Sequence, residues 1–164
     1  MDKTERKKSL AVGHRLIRAV FAAAFCFLML ASCSLPRIII LDDPLTPEEH
    51  LNLGVAYEKK AEYGPAIDEY KKASEKIDRA YVHLGNVYFQ KGDYREAEEA
   101  YREAIERDKS LSDAYNNLAW LYYTKKENLA EAESLVSKAI ELDPKNVTYR
   151  DTLDRIREVN RAGK

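Results

Sequence analysis

Tyr81–Ala104 reads YVHLGNVYFQKGDYREAEEAYREA. Tyr81, Leu84, Gly85 and Tyr88 fall at i, i+3, i+4 and i+7, which is one stripe of a helix. Ala97, Ala100, Tyr101 and Ala104 make a second stripe. Between them Lys91-Gly92-Asp93 is a tight turn. Gly85 and Ala97 are small where a core usually holds large residues. Small residues on facing stripes let two helix axes approach closely, and the tyrosines fill the space around them. One such hairpin cannot bury both of its faces, so it needs neighbours built the same way.

The chain supplies them. Leu53-Gly54-Tyr57 recurs as Leu84-Gly85-Tyr88 and then as Leu118-Ala119-Tyr122. Each is followed by a small-residue stripe: Ala66-Tyr70-Ala73, Ala97-Tyr101-Ala104 and Ala132-Val136-Ala139. The leucines are 31 and then 34 residues apart, and Leu153 lies 35 beyond Leu118. Upstream, Thr46-Pro47-Glu48-Glu49 is a helix start. Thr46 can cap, Pro47 suits the first helical position and Glu49 completes a capping box.

A self-similar helix–turn–helix of about 34 residues resembles the tetratricopeptide repeat, here across residues 46–160. Lys91-Gly92-Asp93-Tyr94 and the closing Leu142-Asp143-Pro144 carry the resemblance best. It implies an all-α fold: a short solenoid of three repeats, about 47–77, 78–111 and 112–145, with a capping helix over 146–160. In that cap Tyr149, Leu153 and Ile156 share one face, which suits a solvated end of a solenoid. Three departures stand out. Repeat one is three residues short between Ala73 and Tyr81. Repeat three has an extra residue between Thr124 and Leu129 and no glycine there. His50, Tyr81 and Tyr115 occupy the position often held by Trp.

The N-terminal end reads differently. Lys3, Arg6, Lys7, Lys8, Arg15 and Arg18 precede the apolar run AVFAAAFCFLMLA at 19–31. A basic region followed by an apolar run too short for a membrane span is a secretory signal. It ends in Leu30-Ala31-Ser32-Cys33, which resembles the lipobox of bacterial lipoproteins. The resemblance implies a signal peptide at 1–32, diacylglycerol on Cys33 and a fatty acyl chain such as palmitate on the new N-terminus. Three acyl chains exceed the two signals that stable anchoring needs. Residues 33–45 are then the lipidated cysteine and a short tether. The tether's two prolines and its Ile38–Leu41 run place the domain close to the membrane. Cys26 leaves with the signal. Ser34, where an aspartate would favour the inner membrane, points to a bacterial cell envelope location on the outer membrane, facing the periplasm.

Six of the 27 Lys/Arg and two of the 28 Asp/Glu lie in residues 1–32, which leaves the remainder at a net charge of −5. A nucleic-acid binder leans the other way, so no nucleic-acid partner is expected. Catalysis is not expected either. The three histidines, His14, His50 and His83, are far apart in sequence, and no phosphate loop, HExxH or EF-hand pattern occurs. Glu48-Glu49 and Glu98-Glu99 are neighbours in sequence, which point apart on a helix. No cofactor and no metal are expected.

The face opposite the Leu-Gly-Tyr stripe carries the functional reading. By resemblance to the family, the first helix of each repeat lines a concave surface. Its residues here are Leu51, Val55 and Glu58, then Val82, Asn86 and Phe89, then Asn116, Trp120 and Tyr123. Asn116, Trp120 and Tyr123 lie at i, i+4 and i+7 and so share a face. Phe89, Trp120 and Tyr123 form an aromatic wall, and Asn86 and Asn116 can pair with a peptide backbone. Relatives that clamp a C-terminal carboxylate place Lys, Asn and Arg on this surface; only the asparagines match. The expected function is a membrane-anchored scaffold that binds a peptide or partner protein, of the kind that serves secretion, pilus or envelope assembly. A second reading is a self-associating structural lipoprotein, a homodimer closed by the Trp120 face. A third is an accessory to a papain-like peptidase system, because DDPLTPEEHLNLGVAYE resembles the repeat tail of some such enzymes.

Overall fold

The structure, a computed structural model, describes residues 43–162. The signal peptide, Cys33 and nearly all of the tether lie outside the described residues. Among the described residues seven helices follow one another: α1 (Pro47–Lys59), α2 (Tyr63–Ser74), α3 (Ala80–Lys91), α4 (Tyr94–Arg107), α5 (Ser112–Lys125), α6 (Leu129–Leu142) and α7 (Val147–Ala162). They are three helical hairpins and a final helix, each packed mainly on the helix before and after it. This is the all-α solenoid the repeats predict. Among the described residues no helix is long and apolar enough to cross a membrane.

The helix ends follow from the sequence where local chemistry decides them. Glu49 N donates to Thr46 Oγ1 at 3.3 Å, and Thr46 N donates to Glu49 Oε2 at 2.7 Å. That is the capping box at the start of α1. The three hairpin turns share one geometry. The carbonyls of Tyr57, Tyr88 and Tyr122 accept from the amides of Glu62, Asp93 and Glu127 at 3.0, 2.9 and 3.1 Å. Just before each donor sits a left-handed residue: Ala61 (φ 57°), Gly92 (φ 85°) and Lys126 (φ 56°). Only the middle repeat has the glycine that this conformation favours. The packing of the two helices imposes it on Ala61 and Lys126 at a cost of about 1 kcal/mol each. The extra residue of repeat three is Asn128, a second left-handed residue (φ 50°) that precedes α6 without a capping bond from its side chain. The deficit of repeat one falls mostly in its second helix: α2 has 12 residues, whereas α4 and α6 have 14.

Inside each hairpin a small residue on the first helix faces a larger one on the second. Gly54 faces Tyr70 and Gly85 faces Tyr101, and both tyrosines are buried. A Cβ on Gly54 would fall 2.5 Å from Tyr70 Cε1; on Gly85 it would fall even deeper into the Tyr101 ring. Repeat three solves the same problem with Ala119 and Val136, both fully buried. Where the first helix carries a methyl, the facing side chain is smaller, as close packing requires.

Two cores result. One is built on Leu51, Ile67, Tyr70, Leu84 and Val87, and the larger one on Tyr101, Leu118, Tyr122, Val136 and Ile156. On α7 the buried residues are Tyr149, Thr152 and Ile156, and Leu153 packs half-buried at their edge. Thr152 can face the core because its hydroxyl donates back to the Thr148 carbonyl at 3.1 Å. His50, in the place of a tryptophan, is buried too; its ring meets Glu69 at 2.5 Å and Asp43 at 3.3 Å.

Successive repeats are also strutted. Tyr122 donates to Glu98 Oε1 at 2.6 Å. Arg102 lies over the Tyr122 ring, 5.9 Å from its centroid, and donates to Glu98 at 3.1 Å and Glu131 at 2.9 Å. This joins α4, α5 and α6. Burial pushes the Glu98 carboxyl up, but the bonds from Tyr122 and Arg102 outweigh it and hold the group below its ordinary value.

Candidate functional site

The first helices of the repeats, α1, α3 and α5, line one face, and three adjoining hollows run along it. One, of about 360 Å³, lies between α1 and α3 among Val55, Glu58, Lys59, His83, Asn86 and Gln90. A small one of about 150 Å³ is walled by Phe89, Gln90, Asn117 and Trp120. The third, about 500 Å³, opens toward the α4–α5 turn, between Arg79, His83, Asp113 and Asn117. Asn86 lines all three.

Two acceptors hold this face in register. Glu58 takes the Tyr70 hydroxyl at 2.6 Å and the Gln90 amide at 2.9 Å. Asn86 Oδ1 takes the Tyr101 hydroxyl at 2.8 Å and the Asn117 amide at 2.9 Å. Each acceptor thus receives one bond from the second helix of its own repeat and one from the first helix of the next. The consequence for Asn86 is chemical. Its oxygen is committed to the protein, so its orientation is fixed and its NH₂ group is left for the groove. That arrangement presents a donor to a peptide carbonyl.

The charges on this face are balanced, with Glu58 and Asp113 set against Lys59 and Arg79. His83 stacks on Tyr70 with ring centroids 5.1 Å apart. Burial depresses its pKa, helped by Arg79 and opposed by Glu58 and Asp113, so the ring is neutral at physiological pH.

Of the residues expected here, Val55, Glu58, Val82, Asn86, Phe89 and Trp120 line the groove. Leu51 and Asn116 do not offer much surface: they are 5% and 7% exposed. Asn116 Nδ2 donates to Asn117 Oδ1 at 3.2 Å, and its own Oδ1 is buried without a partner. Tyr123 is half-buried beneath Trp120, with ring centroids 4.9 Å apart, and packs on the core. The residues that take their place are His83, Gln90 and Asn117, each one position on from an expected one. His83, Asn86 and Gln90 lie at i, i+3 and i+7, as do Asn117, Trp120 and Thr124. The polar character of His83, beside the apolar Val82, was the available signal; Asn117 carried none, because its neighbour Asn116 is equally polar.

Residues 83–147 match the family described as the tetratricopeptide repeat. No curated protein matches the chain. Among solved structures, the first TPR of Spaghetti (RPAP3) bound to an HSP90 peptide, SRMEEVD, is 23% identical with a TM-score of 0.65. It covers 73% of this chain and 96% of its own. The first TPR domain of human RPAP3 is 24% identical with a TM-score of 0.65, covering 71% and 96%. The Arabidopsis OM64 TPR domain is 21% identical with a TM-score of 0.63, covering 68% and 94%. These likenesses establish the fold of residues 43–162 as a tetratricopeptide-repeat solenoid.

Proposed function

We propose that the chain is a protein-interaction scaffold that holds an extended, uncharged segment of a partner polypeptide along the α1–α3–α5 groove. It does so at a bacterial envelope membrane, to which Cys33 anchors it. The observation that carries the reading is Asn86, whose oxygen is bound from both sides and whose amide donor is left at the junction of three hollows. Trp120 and Phe89 beside it supply an apolar seat for one side chain. The Spaghetti solenoid carries an acidic peptide. The present groove has no excess of positive charge, which favours an uncharged ligand instead.

Peptides selected on the immobilised protein test the reading. Trp120 is the only tryptophan in the chain, so its fluorescence reports occupancy of the groove. Asn86→Asp keeps both acceptor contacts and loses the donor. It is expected to weaken the selected peptides at least tenfold while circular dichroism stays the same, and Trp120→Ala is expected to do likewise. Peptides that bind both variants as well as the wild type would sink the reading.

The anchor rests on the signal-like run and on Leu30-Ala31-Ser32-Cys33. Mass spectrometry of the mature protein is expected to find Cys33 at the N-terminus carrying diacylglycerol and an amide-linked acyl chain. An unmodified Cys33 in the membrane fraction would rule the anchor out.

A further inference from the structure

On the opposite face, α2 and α4 flank a groove floored by α3. It holds about 550 Å³. Tyr81, Leu84 and Tyr88 form the floor, and Glu75, Glu96, Glu99 and Glu103 the rim, with Lys71 on the α2 side. Repetition lets this groove be compared with its counterpart one repeat on, where α4 and α6 flank α5. There the Arg102 strut closes the gap, seated on the Tyr122 ring and bonded to Tyr122, Glu98 and Glu131.

The corresponding positions in the open groove are Lys71 for Arg102, Tyr88 for Tyr122 and Glu96 for Glu131. Among the described residues Lys71 makes no ion pair, and Glu75 and Glu99 make none either. Glu96 pairs only with its neighbour Arg95, at 3.3 Å, and Glu103 only with Arg107, on its own helix. Tyr81 and Tyr88 each already have a cation near the ring, Arg107 at 4.8 Å and Lys91 at 5.9 Å, and neither cation lines the groove. The centre keeps the apolar floor and one of the two carboxylates, Glu96; Ile67 stands where Glu98 would be, and the arginine is lacking.

We infer that this groove is a docking surface for an arginine-bearing amphipathic segment of a partner protein. The partner's guanidinium takes the place that Arg102 fills one repeat away, between the Tyr88 ring and the Glu96 carboxylate, and its apolar face lies on Leu84 and Tyr81. Arginine fits better than lysine, because a planar guanidinium can stack on a ring and reach two oxygens together. The Coulomb part of the contact is exposed and must weaken as salt rises.

The test uses the full-length protein in detergent micelles and a short amphipathic peptide with arginines at i and i+4. A second peptide carries citrulline in their place, which removes the charge and keeps the shape. Isothermal titration at low salt is expected to show the arginine peptide binding at least tenfold tighter than the citrulline peptide. Lys71→Arg, which supplies the missing strut from within, is expected to weaken that binding at least tenfold. So is Glu96→Gln with Glu99→Gln. Asn86→Asp, on the other face, should leave it unchanged, which separates this surface from the peptide groove. Equal binding of the two peptides, full binding to both groove variants, or loss of binding in Asn86→Asp would each overturn the inference.

Discussion

Gly85→Ala is expected to destabilise the domain by about 3 kcal/mol, although alanine is the better helix former by about 1 kcal/mol. The added methyl enters the ring of Tyr101. That ring cannot swing away. It is buried, and its hydroxyl is held by Asn86 at 2.8 Å. Either the helix axes of repeat two move apart or the ring leaves its rotamer, and both disturb a close-packed interior. Repeat three shows the remedy, since Ala119 faces Val136 there. Gly85→Ala combined with Tyr101→Val should therefore recover much of the loss. Urea unfolding of the single and double variants measures this. A double variant less stable than Gly85→Ala alone would show that the size exchange is not the governing term.

The second large effect is expected at the far end. Tyr149→Ala should cost about 4 kcal/mol, in the range for emptying an aromatic site in a core. Tyr149 is buried on α7, and its hydroxyl donates to Asp113 at 2.5 Å and lies 3.1 Å from Ser112. One side chain thus both fills the end of the larger core and ties the cap to the start of α5. Tyr149→Phe keeps the ring and loses the bonds, so it should cost only about 1 kcal/mol. Thermal unfolding of the two variants separates the contributions. Equal losses would mean that the hydrogen bonds, not the packing, hold the cap.

The architecture was legible because repetition writes it several times. Leu84-Gly85-Tyr88 alone is a helical stripe; with Leu53-Gly54-Tyr57 and Leu118-Ala119-Tyr122 it becomes a period. The left-handed residues at Ala61 and Lys126 were not legible, since nothing in either side chain asks for that conformation. The hairpin demands it, and Gly92 is the only one of the three that announces it. The groove was placed one residue early at Asn116, and at Val82 its neighbour His83 was missed. Periodicity gives the width of a helix face but not its rotation, and between the adjacent Asn116 and Asn117 polarity does not say which one is solvated. The Arg102 strut spans 29 residues to Glu131, beyond the reach of any local pattern.

Asp43 meets the body of the domain through His50 at 3.3 Å and Lys72 at 3.1 Å. Mechanical load entering the chain from its N-terminal side would reach these two contacts first, and behind them the smaller core and the shortened α2. Helices that pack mainly on their sequence neighbours do not share such a load along the array. Under tension the molecule would yield as springs in series, with the softest next to the point of pull. Repeat one would peel away while α5, α6 and α7 kept their form, so the chain could lengthen under strain and recoil without losing its far end.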